Sequence, residues 1–203
     1  MILAMDTSGG TVVGWRDATS GRTAGYLSEN PRGHAETIGP AIAQVLHEAE
    51  VTPQQISVVA VGMGPGPFTG LRIGIAAARA FALGRGVSVT ALASHDAIAL
   101  AWYLAGGEGE LLVATDARRR ERFWTRYSGL DADGLPVVVA GPALAPATEL
   151  PAAAHAVVDE PISPDTLTEL ARRAVAAGRV GPAQPVYLRS PDVTLSPAKG
   201  VTG

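Results

Sequence analysis

The chain has 203 residues, of which 47% are hydrophobic, 17% are charged and none is cysteine, and its formal net charge is -3. The apolar fraction excludes a disordered or fibrous protein, and the lack of cysteine excludes a disulfide scaffold, thiol chemistry and thiolate metal sites. Because a protein that grips phosphates usually carries a basic face, the acidic balance predicts a poor nucleic-acid binder.

The first block of the chain predicts a meander of three strands followed by alternating strands and helices. Apolar residues spaced three and four apart indicate the helices, and a continuous apolar run indicates a strand that is buried on both faces. This order predicts an α/β fold with a mixed sheet and helices on its faces. The predicted elements are, in chain order, strands at 2–5, 11–16 and 23–27, a helix at 34–50, a strand at 56–61, a helix at 70–83, a strand at 87–92 and a helix at 94–105.

Gly106 and Gly107 interrupt the pattern, and a second block then opens much as the first did. Ala4-Met5-Asp6-Thr7 and Ala114-Thr115-Asp116-Ala117 hold matching places in the two blocks. We therefore expect a duplicated lobe, with a first lobe at 1–105, a shortened second lobe at 106–190 and a flexible tail at 191–203. The predicted elements of the second block are strands at 111–115, 122–127, 135–140 and 155–158 and a helix at 164–177.

A glycine- and proline-rich segment, residues 62–74, joins a predicted strand to a predicted helix. Anion-binding loops occupy such places, but Pro65 and Pro67 lack the backbone N–H that a phosphate cradle uses. A rigid turn fits better, with Thr69 as the N-cap and Phe68 packing on Ile73. Arg72 then lies in the first helical turn and opposes the helix dipole. We expect a carboxylate of this chain or of a partner to compensate it, the alternative being a loose surface arginine.

The loop Asp6-Thr7-Ser8 closes the first strand and permits two interpretations. Its hydroxyls and amides would face a phosphate in a nucleotide-binding lobe, whereas the simpler interpretation is a turn closed by its own side chains. The matching hairpin of the second block, residues 116–122, carries arginines where a second phosphate-binding hairpin would need glycine. We therefore expect that no nucleotide is clamped between the lobes in the usual way. The arginines could meet an acidic partner, tRNA phosphates or solvent.

The sequence lacks the motifs of a metal site, of a catalytic serine and of a membrane or signal segment. None of the four histidines has a second histidine three or four residues on, and the residue four after His34 is Ile38, so we expect no metal site. No G-x-S-x-G elbow is present, and we expect no catalytic residue. The apolar opening ends at Asp6, too early for a signal peptide, and no apolar run approaches the ~18 residues that span a bilayer. The expected location is the cytoplasm, without membrane contact.

Residues 64–74 read G-P-G-P-F-T-G-L-R-I-G, which closely resembles the signature G-P-G-S-F-T-G-x-R-x-G of the TsaB family, also called YeaZ. Four further segments resemble motifs of the same family in the same order, so the resemblance runs from about residue 1 to 190. They are M-D-T-S at 5–8, H-A-E-T-I with Pro40 and Ile42 from residue 34, D-A-R with Glu121, Phe123, Trp124 and Tyr127 from residue 116, and P-V-Y-L-R at 185–189.

The resemblance implies an actin/Hsp70-like, RNase H-like (ASKHA) fold of two lobes with mixed sheets. It also implies a non-catalytic subunit in bacterial synthesis of threonylcarbamoyladenosine, t(6)A, in tRNA. Such a subunit binds and activates the transferase TsaD together with TsaE, and forms a homodimer when alone. TsaD carries a metal-binding His-x3-His that Ile38 breaks here. The chain itself would need no cofactor, ATP or another nucleotide would belong to the complex, and tRNA would be held mainly by the partner.

The resemblance further implies that the partner docks on the helices predicted at 34–50 and 70–83. Small and apolar side chains suit a close helical interface. Pro67 stands where the family usually has serine, so a role for that hydroxyl is in doubt. Two other functions remain open: a nucleotide-binding ASKHA NTPase or kinase, suggested by the Asp6 loop, and a glycoprotease, for which no nucleophile is found. The expected interface residues are His34, Thr37, Ile38, Ala41, Ile42, Val45, Thr69, Arg72, Ile73, Ala76, Ala77 and Ala80.

Overall fold

The computed structural model describes residues 1–30 and 33–189. The predicted α/β class with two mixed sheets is confirmed. A short 3-10 helix, Pro53–Gln55, precedes the fourth strand. The bounds are β1 Ile2–Asp6, β2 Thr11–Arg16, β3 Thr23–Ser28, α1 His34–Glu48, β4 Val58–Gly62, α2 Phe68–Arg85, β5 Val89–Leu92, α3 Ser94–Leu104, β6 Leu111–Asp116, β7 Glu121–Leu130, β8 Pro136–Pro146, β9 His155–Val158 and α4 Pro164–Ala176.

The first sheet has the strand order β3-β2-β1-β4-β5. Strands β1, β2 and β3 form the predicted antiparallel meander, and β4 and β5 continue the sheet parallel to β1. All five residues of β1 are buried, because helices cover both faces of the sheet at its centre. The carboxyl end of β1, at Asp6, therefore lies beside the end of β4, at Gly62.

The second sheet, in the order β8-β7-β6-β9, repeats this plan in shorter form. Strand β6 pairs antiparallel with β7 and parallel with β9, as β1 does with β2 and β4. Strand β8 is an edge strand and is longer than the predicted 135–140, since it continues through Gly141 and Pro142. An edge strand tolerates proline because one of its two sides makes no ladder hydrogen bonds.

Helices α1 and α2 cover one face of the first sheet, and α3 and α4 cover the other face and lie between the two sheets. Helix α4 belongs to the second block but packs on β1, β2 and β3. Gly14 allows this approach, since a Cβ there would lie 2.6 Å from the Pro164 carbonyl oxygen. The core thus consists of two clusters, one under α1 and α2 and one between the sheets. The division at residue 105 stays a prediction.

Helix α2 begins at Phe68 with Pro67 as its N-cap, so the prediction that Thr69 caps the helix is wrong. The proline ring holds φ at -61° and lets the chain enter the helix two residues earlier. The Phe68 ring lies against Tyr187, 4.7 Å between centroids, where the sequence predicted packing on Ile73. Helix α3 also begins without a side-chain cap, since Ala93 is its N-cap and the Ser94 hydroxyl does not cap it.

Candidate functional site

The loop after β1 is held by hydrogen bonds within the chain. The Asp6 side chain is 1% exposed and accepts hydrogen bonds from the Ser8 amide (2.7 Å), the Ser8 hydroxyl (2.6 Å) and the Ser94 hydroxyl (2.6 Å). Burial raises the pKa of Asp6, and these hydrogen bonds oppose the rise. The turn interpretation of this loop is therefore the one that the geometry supports.

Thr7 points away from the space between the lobes. Its Oγ1 donates to the Gly70 carbonyl oxygen at 2.7 Å and accepts from the Gly74 amide at 3.1 Å, and the residue is 2% exposed. A Cβ at Gly74 would overlap this hydroxyl, and a Cβ at Gly62 would overlap the Asp6 carboxylate. The glycines of the 62–74 segment thus let the loop and α2 lie against each other. Asp6, Thr7 and Ser8 were predicted to face a nucleotide. For Thr7 this prediction is corrected, because its side chain points into the chain.

A cleft of about 290 Å³ lies between the lobes, at the carboxyl ends of β1 and β6. Asp6 and Ser8 border it, and the second block contributes Thr115 and the arginine hairpin through Arg118. Carboxylates outnumber guanidinium groups in its wall, but Asp159 is paired with the Arg122 guanidinium and burial raises the pKa of Asp6, so the acidic excess is smaller than the lining suggests. The charged residues of the wall are Asp6, Glu29, Asp116, Arg118, Asp159 and Glu160.

The arginine hairpin, residues 116–122, has a left-handed backbone at three successive positions. Arg118, Arg119 and Arg120 have φ values of 62°, 54° and 63°, a region that favours glycine. The Asp116 carboxylate accepts from the Arg118 amide at 3.0 Å, and the Arg120 carbonyl accepts from the Ala147 amide at 2.9 Å. The hairpin is therefore braced by hydrogen bonds in a left-handed conformation, and the expectation that no nucleotide is clamped between the lobes stays a prediction.

Three successive residues at the start of α3 join the two sheets, and none of them was among the predicted site residues. Ser94 binds Asp6 of the first sheet, as described above. The His95 ring lies 2.8 Å from Thr125 Oγ1 and 2.9 Å from Thr115 Oγ1, both in the second sheet. Its burial lowers the pKa of His95 to about 3, so the ring is neutral.

Asp96, the next residue, accepts a hydrogen bond from the Tyr127 hydroxyl at 2.8 Å. Burial raises the pKa of Asp96 to about 6, and burial together with the Asp96 charge raises the pKa of Tyr127 well above its ordinary value. The polar groups between the lobes therefore bond to one another. This arrangement is suited to fixing the two sheets together.

His34 lies at the inner end of α1 and is 8% exposed. Its Nδ1 lies 2.8 Å from Thr11 Oγ1, and burial lowers the pKa of the ring while the Asp6 carboxylate opposes this shift. Ile38 is also buried, at 6%. Among residues 1–30 and 33–189, no three His, Asp or Glu side chains are grouped so that they could hold a metal ion.

The structure separates the predicted interface residues into two sets. Four of them, His34, Ile38, Ala41 and Val45, belong to the core, because the first sheet takes the apolar stripe of α1. Their assignment as interface contacts is corrected to core packing. The other eight are exposed or half-exposed on the outer side of α1 and α2: Thr37, Ile42, Thr69, Arg72, Ile73, Ala76, Ala77 and Ala80.

These eight residues lie on what we call the α1/α2 face, together with neighbouring exposed residues of the two helices. The neighbours include Gly39, Pro40 and Ala43 of α1 and Leu83 of α2, which is 84% exposed. Small side chains let a second helix approach closely. A leucine that is exposed to this extent leaves most of its apolar surface in water, where another molecule can cover it. The α1/α2 face is therefore the chain's candidate docking surface.

A strap, residues 185–189, crosses from the second block to the beginning of α2. The Val186 amide donates to the Met63 carbonyl oxygen at 2.7 Å, and the Tyr187 ring contacts Phe68. At the other end, Arg189 donates to the Glu121 carboxylate at 2.7 Å and to the Ala117 carbonyl oxygen. The strap thus connects the arginine hairpin to the edge of the α1/α2 face. In the part of the chain described, no helix is long and apolar enough to cross a bilayer.

Comparison with known proteins agrees with this geometry. Residues 28–150 match the family described as TsaD, tRNA N6-adenosine threonylcarbamoyltransferase. The chain is 38% identical to an uncharacterised protein of Mycobacterium tuberculosis over 181 residues, 82% of this chain and 80% of that protein. It is 33% identical to the tRNA threonylcarbamoyladenosine biosynthesis protein TsaB of Escherichia coli over 128 residues, 62% of this chain and 54% of that one.

Solved structures give the same result. The structure of YeaZ from Pseudomonas aeruginosa superposes with a TM-score of 0.80 and 27% identity, covering 92% of this chain and 99% of that one. The two-lobed plan, the motif order and these likenesses agree. The chain belongs to the TsaB (YeaZ) family, as its motifs predicted.

Proposed function

We propose that this chain is an accessory, non-catalytic subunit of the machinery that makes t(6)A in tRNA, and that its α1/α2 face docks onto the transferase TsaD. Involvement in this biosynthesis is supported by the names of the TsaB relatives and by the match to the TsaD family. TsaE would join the larger complex, which would hold any ATP and most of the tRNA. Free chains would pair as homodimers through the same face.

The observation that carries the docking proposal is the composition of the α1/α2 face. Ala76 and Ala80 lie exposed one turn apart on α2, with Leu83 in the following turn, and Ala43 lies exposed on α1. Apolar groups left in water favour association, and small side chains let helix backbones come close. In contrast, Asp6 and Ser94 at the cleft are hydrogen-bonded to each other, which leaves them committed to the fold.

The docking proposal is tested by measuring the mass of a mixture of this chain and TsaD in sedimentation at micromolar concentration, and by reconstituted t(6)A synthesis with and without the chain. Replacing Ala76 with arginine would place a long charged side chain in the contact. We expect Ala76→Arg to weaken complex formation by about a hundredfold and to lower t(6)A synthesis in parallel.

The matched control is Ala176→Arg, since Ala176 is also an exposed helical alanine but lies at the end of α4, away from the α1/α2 face. It should leave the complex and the synthesis unchanged. An unmodified chain that neither associates with TsaD nor is needed for synthesis would refute the proposal. Equal loss from both arginine variants would refute the assignment of the face.

The alternative function, a nucleotide-binding ASKHA enzyme, is tested by calorimetry of the unmodified chain with ATP and Mg²⁺. Because the side chains of Asp6 and Thr7 are committed to hydrogen bonds within the chain, we expect no heat of binding at millimolar ATP. Binding accompanied by turnover, with turnover lost in Asp116→Ala, would favour an enzyme over an accessory subunit.

A further inference from the structure

Arg72 is the one charged residue among the eight predicted interface residues that the structure leaves exposed or half-exposed. Its guanidinium carbon lies 3.8 Å from the centroid of the Phe68 ring and 5.9 Å from that of Tyr187. No carboxylate in residues 1–30 or 33–189 lies within 4.0 Å of this guanidinium. The counter-charge expected from the sequence is therefore not supplied by the described part of this chain.

The stacking fixes the orientation of the guanidinium. A guanidinium that lies over an aromatic ring uses its flat face, and its N–H groups, which lie in the plane, stay available as a fork for a carboxylate. Phe68 is held in turn by the Tyr187 ring at 4.7 Å, and Tyr187 by the strap, whose Val186 amide bonds to the Met63 carbonyl oxygen. The ring contact thus restricts the arginine side chain before any partner arrives, which lowers the entropy lost on binding.

We propose that Arg72, oriented by Phe68 and the strap, is the charged anchor of the α1/α2 face and receives a carboxylate side chain of TsaD. This inference rests on the proposed function and adds to it the chemistry of the contact and the segment that orients it. Tyr187 is a positioning residue in this scheme, because it acts on the partner only through Phe68 and Arg72.

A second copy of this chain is the competing occupant of the same place, and the test below distinguishes it from TsaD. In a dimer with two-fold symmetry the same surface lies on both sides of the contact. The eight predicted residues of this face carry one positive charge, but Glu36 and Glu48 of α1 are exposed on the same helices, so a second copy also offers carboxylates. A different protein that offers an acidic side chain among small or apolar ones satisfies both the arginine and its apolar surroundings.

The test is the dissociation constant of the complex with TsaD, measured by calorimetry on the full chain at two salt concentrations. We expect Arg72→Ala to weaken binding about ten- to a hundredfold, and Arg72→Lys to restore only part of it, since lysine lacks the bidentate fork. The salt dependence should be smaller for Arg72→Ala than for the unmodified chain, because one ion pair is missing. A general loss of folding would not produce this change in salt dependence.

Two variants of the strap separate the ring from its hydroxyl. Tyr187→Phe keeps the ring contact with Phe68 and should bind TsaD within about twofold of the unmodified chain, whereas Tyr187→Leu should weaken binding about three- to tenfold by loosening Phe68 and Arg72. Arg120→Ala, which removes the same charge from the arginine hairpin of the second sheet, is the matched control and should bind normally.

Two results would overturn the inference while the proposed function stands. One is a complex that forms normally with Arg72→Ala at both salt concentrations. The other is an effect of Arg72→Ala on the homodimer alone, which would make a second copy the occupant. If the unmodified chain does not bind TsaD at all, the proposed function fails first, so the two failures are distinguishable.

Discussion

The two pairs of helices that cover the first sheet differ in what they leave exposed. Helix α3 lies between the sheets, and seven of its eleven residues are buried, including the polar Ser94 and His95. Helix α2 lies on the opposite face, and six of its eighteen residues are buried. The inner pair, α3 and α4, uses its side chains to join the two sheets. The outer pair, α1 and α2, buries one stripe in its own core and leaves the other side open, which is what a docking subunit needs.

The difference between the pairs also concerns polar groups. At the start of α3, Ser94 has a hydrogen-bond partner on β1, and His95 and Asp96 have partners on β7. On the α1/α2 face, Arg72 has aromatic rings as its neighbours and no carboxylate of the described chain. A satisfied polar network stabilises the folded chain itself, whereas an oriented but unpaired charge is available to another molecule.

The largest expected effect comes from Gly62 at the inner side of β4. A Cβ at this position would overlap the Asp6 carboxylate and displace it from its hydrogen bonds. Gly62→Ala should lower the free energy of unfolding by about 4 kcal/mol or more, because overpacking adds to the loss of buried hydrogen bonds. Urea unfolding followed by tryptophan fluorescence measures this.

Gly84 in α2 supplies the opposite case on the outer pair, because a Cβ there would meet nothing within 4 Å. Gly84→Ala should raise the free energy of unfolding by about 0.5–1 kcal/mol through helix propensity.

The outcome that would contradict the Gly62 prediction is a Gly62→Ala protein as stable as the unmodified one. It would show that the Asp6 loop is not fixed against β4.

The same substitution on the two helix pairs gives the next effect. Leu100 in α3 is 0% exposed and Leu83 in α2 is 84% exposed. Leu100→Ala should lower the free energy of unfolding by about 2–5 kcal/mol, and Leu83→Ala by less than about 0.5 kcal/mol. Denaturant curves at low protein concentration provide the measurement. Equal costs would mean that the outer side of α2 is not open in the isolated chain.

A further effect, smaller than those of Gly62→Ala and Leu100→Ala, is a dependence on pH that arises at the inner pair. The pKa of Asp96 is raised in the folded chain from its ordinary 3.8 to about 6, so folding favours the protonated form. This contribution to stability is complete below about pH 4 and is lost as the pH rises through about 6. Relative to Asp96→Asn, the unmodified chain should lose about 2 kcal/mol of stability between pH 4 and 7.

The contribution of His95 to stability changes with pH in the opposite direction, which is why the comparison with Asp96→Asn is needed. Its pKa is lowered from 6.5 to about 3, so its stabilising contribution is complete above pH 6.5 and is lost as the pH falls through about 3. The raw pH curve of the unmodified chain therefore contains both groups. A difference curve that is flat between pH 4 and 7 would show that Asp96 is ionised freely in the folded chain.

The local elements could be predicted from the sequence because they depend on near neighbours. Strand β2 was predicted at 11–16 and is found at Thr11–Arg16, and the helix predicted at 34–50 is α1, His34–Glu48. The beginning of α2 was missed because Thr69 is a better cap by preference than Pro67, whereas the structure uses the preset φ of the proline.

The site was harder to predict, since its contacts join distant parts of the chain. Ser94 and Asp6 are 88 positions apart, and no periodic pattern in the sequence connects them. Too many interface residues were predicted, for a related reason. An apolar stripe on a helix predicts burial but does not say what buries it, and for Ile38, Ala41 and Val45 the covering surface is this chain's own sheet.

The edge strand β8 has a consequence for how the protein behaves at high concentration. Its eleven residues, P-V-V-V-A-G-P-A-L-A-P, include no charge, and Val137, Val138 and Val139 are 36%, 44% and 48% exposed. Long uncharged rims of this kind usually recruit further strands and lead to fibres. Here Pro136, Pro142 and Pro146 each lack an N–H donor, so the strand offers an incoming strand fewer donors than its length allows. The three prolines therefore protect the edge strand β8 from pairing with other chains, and replacing them with alanine would promote aggregation through this edge.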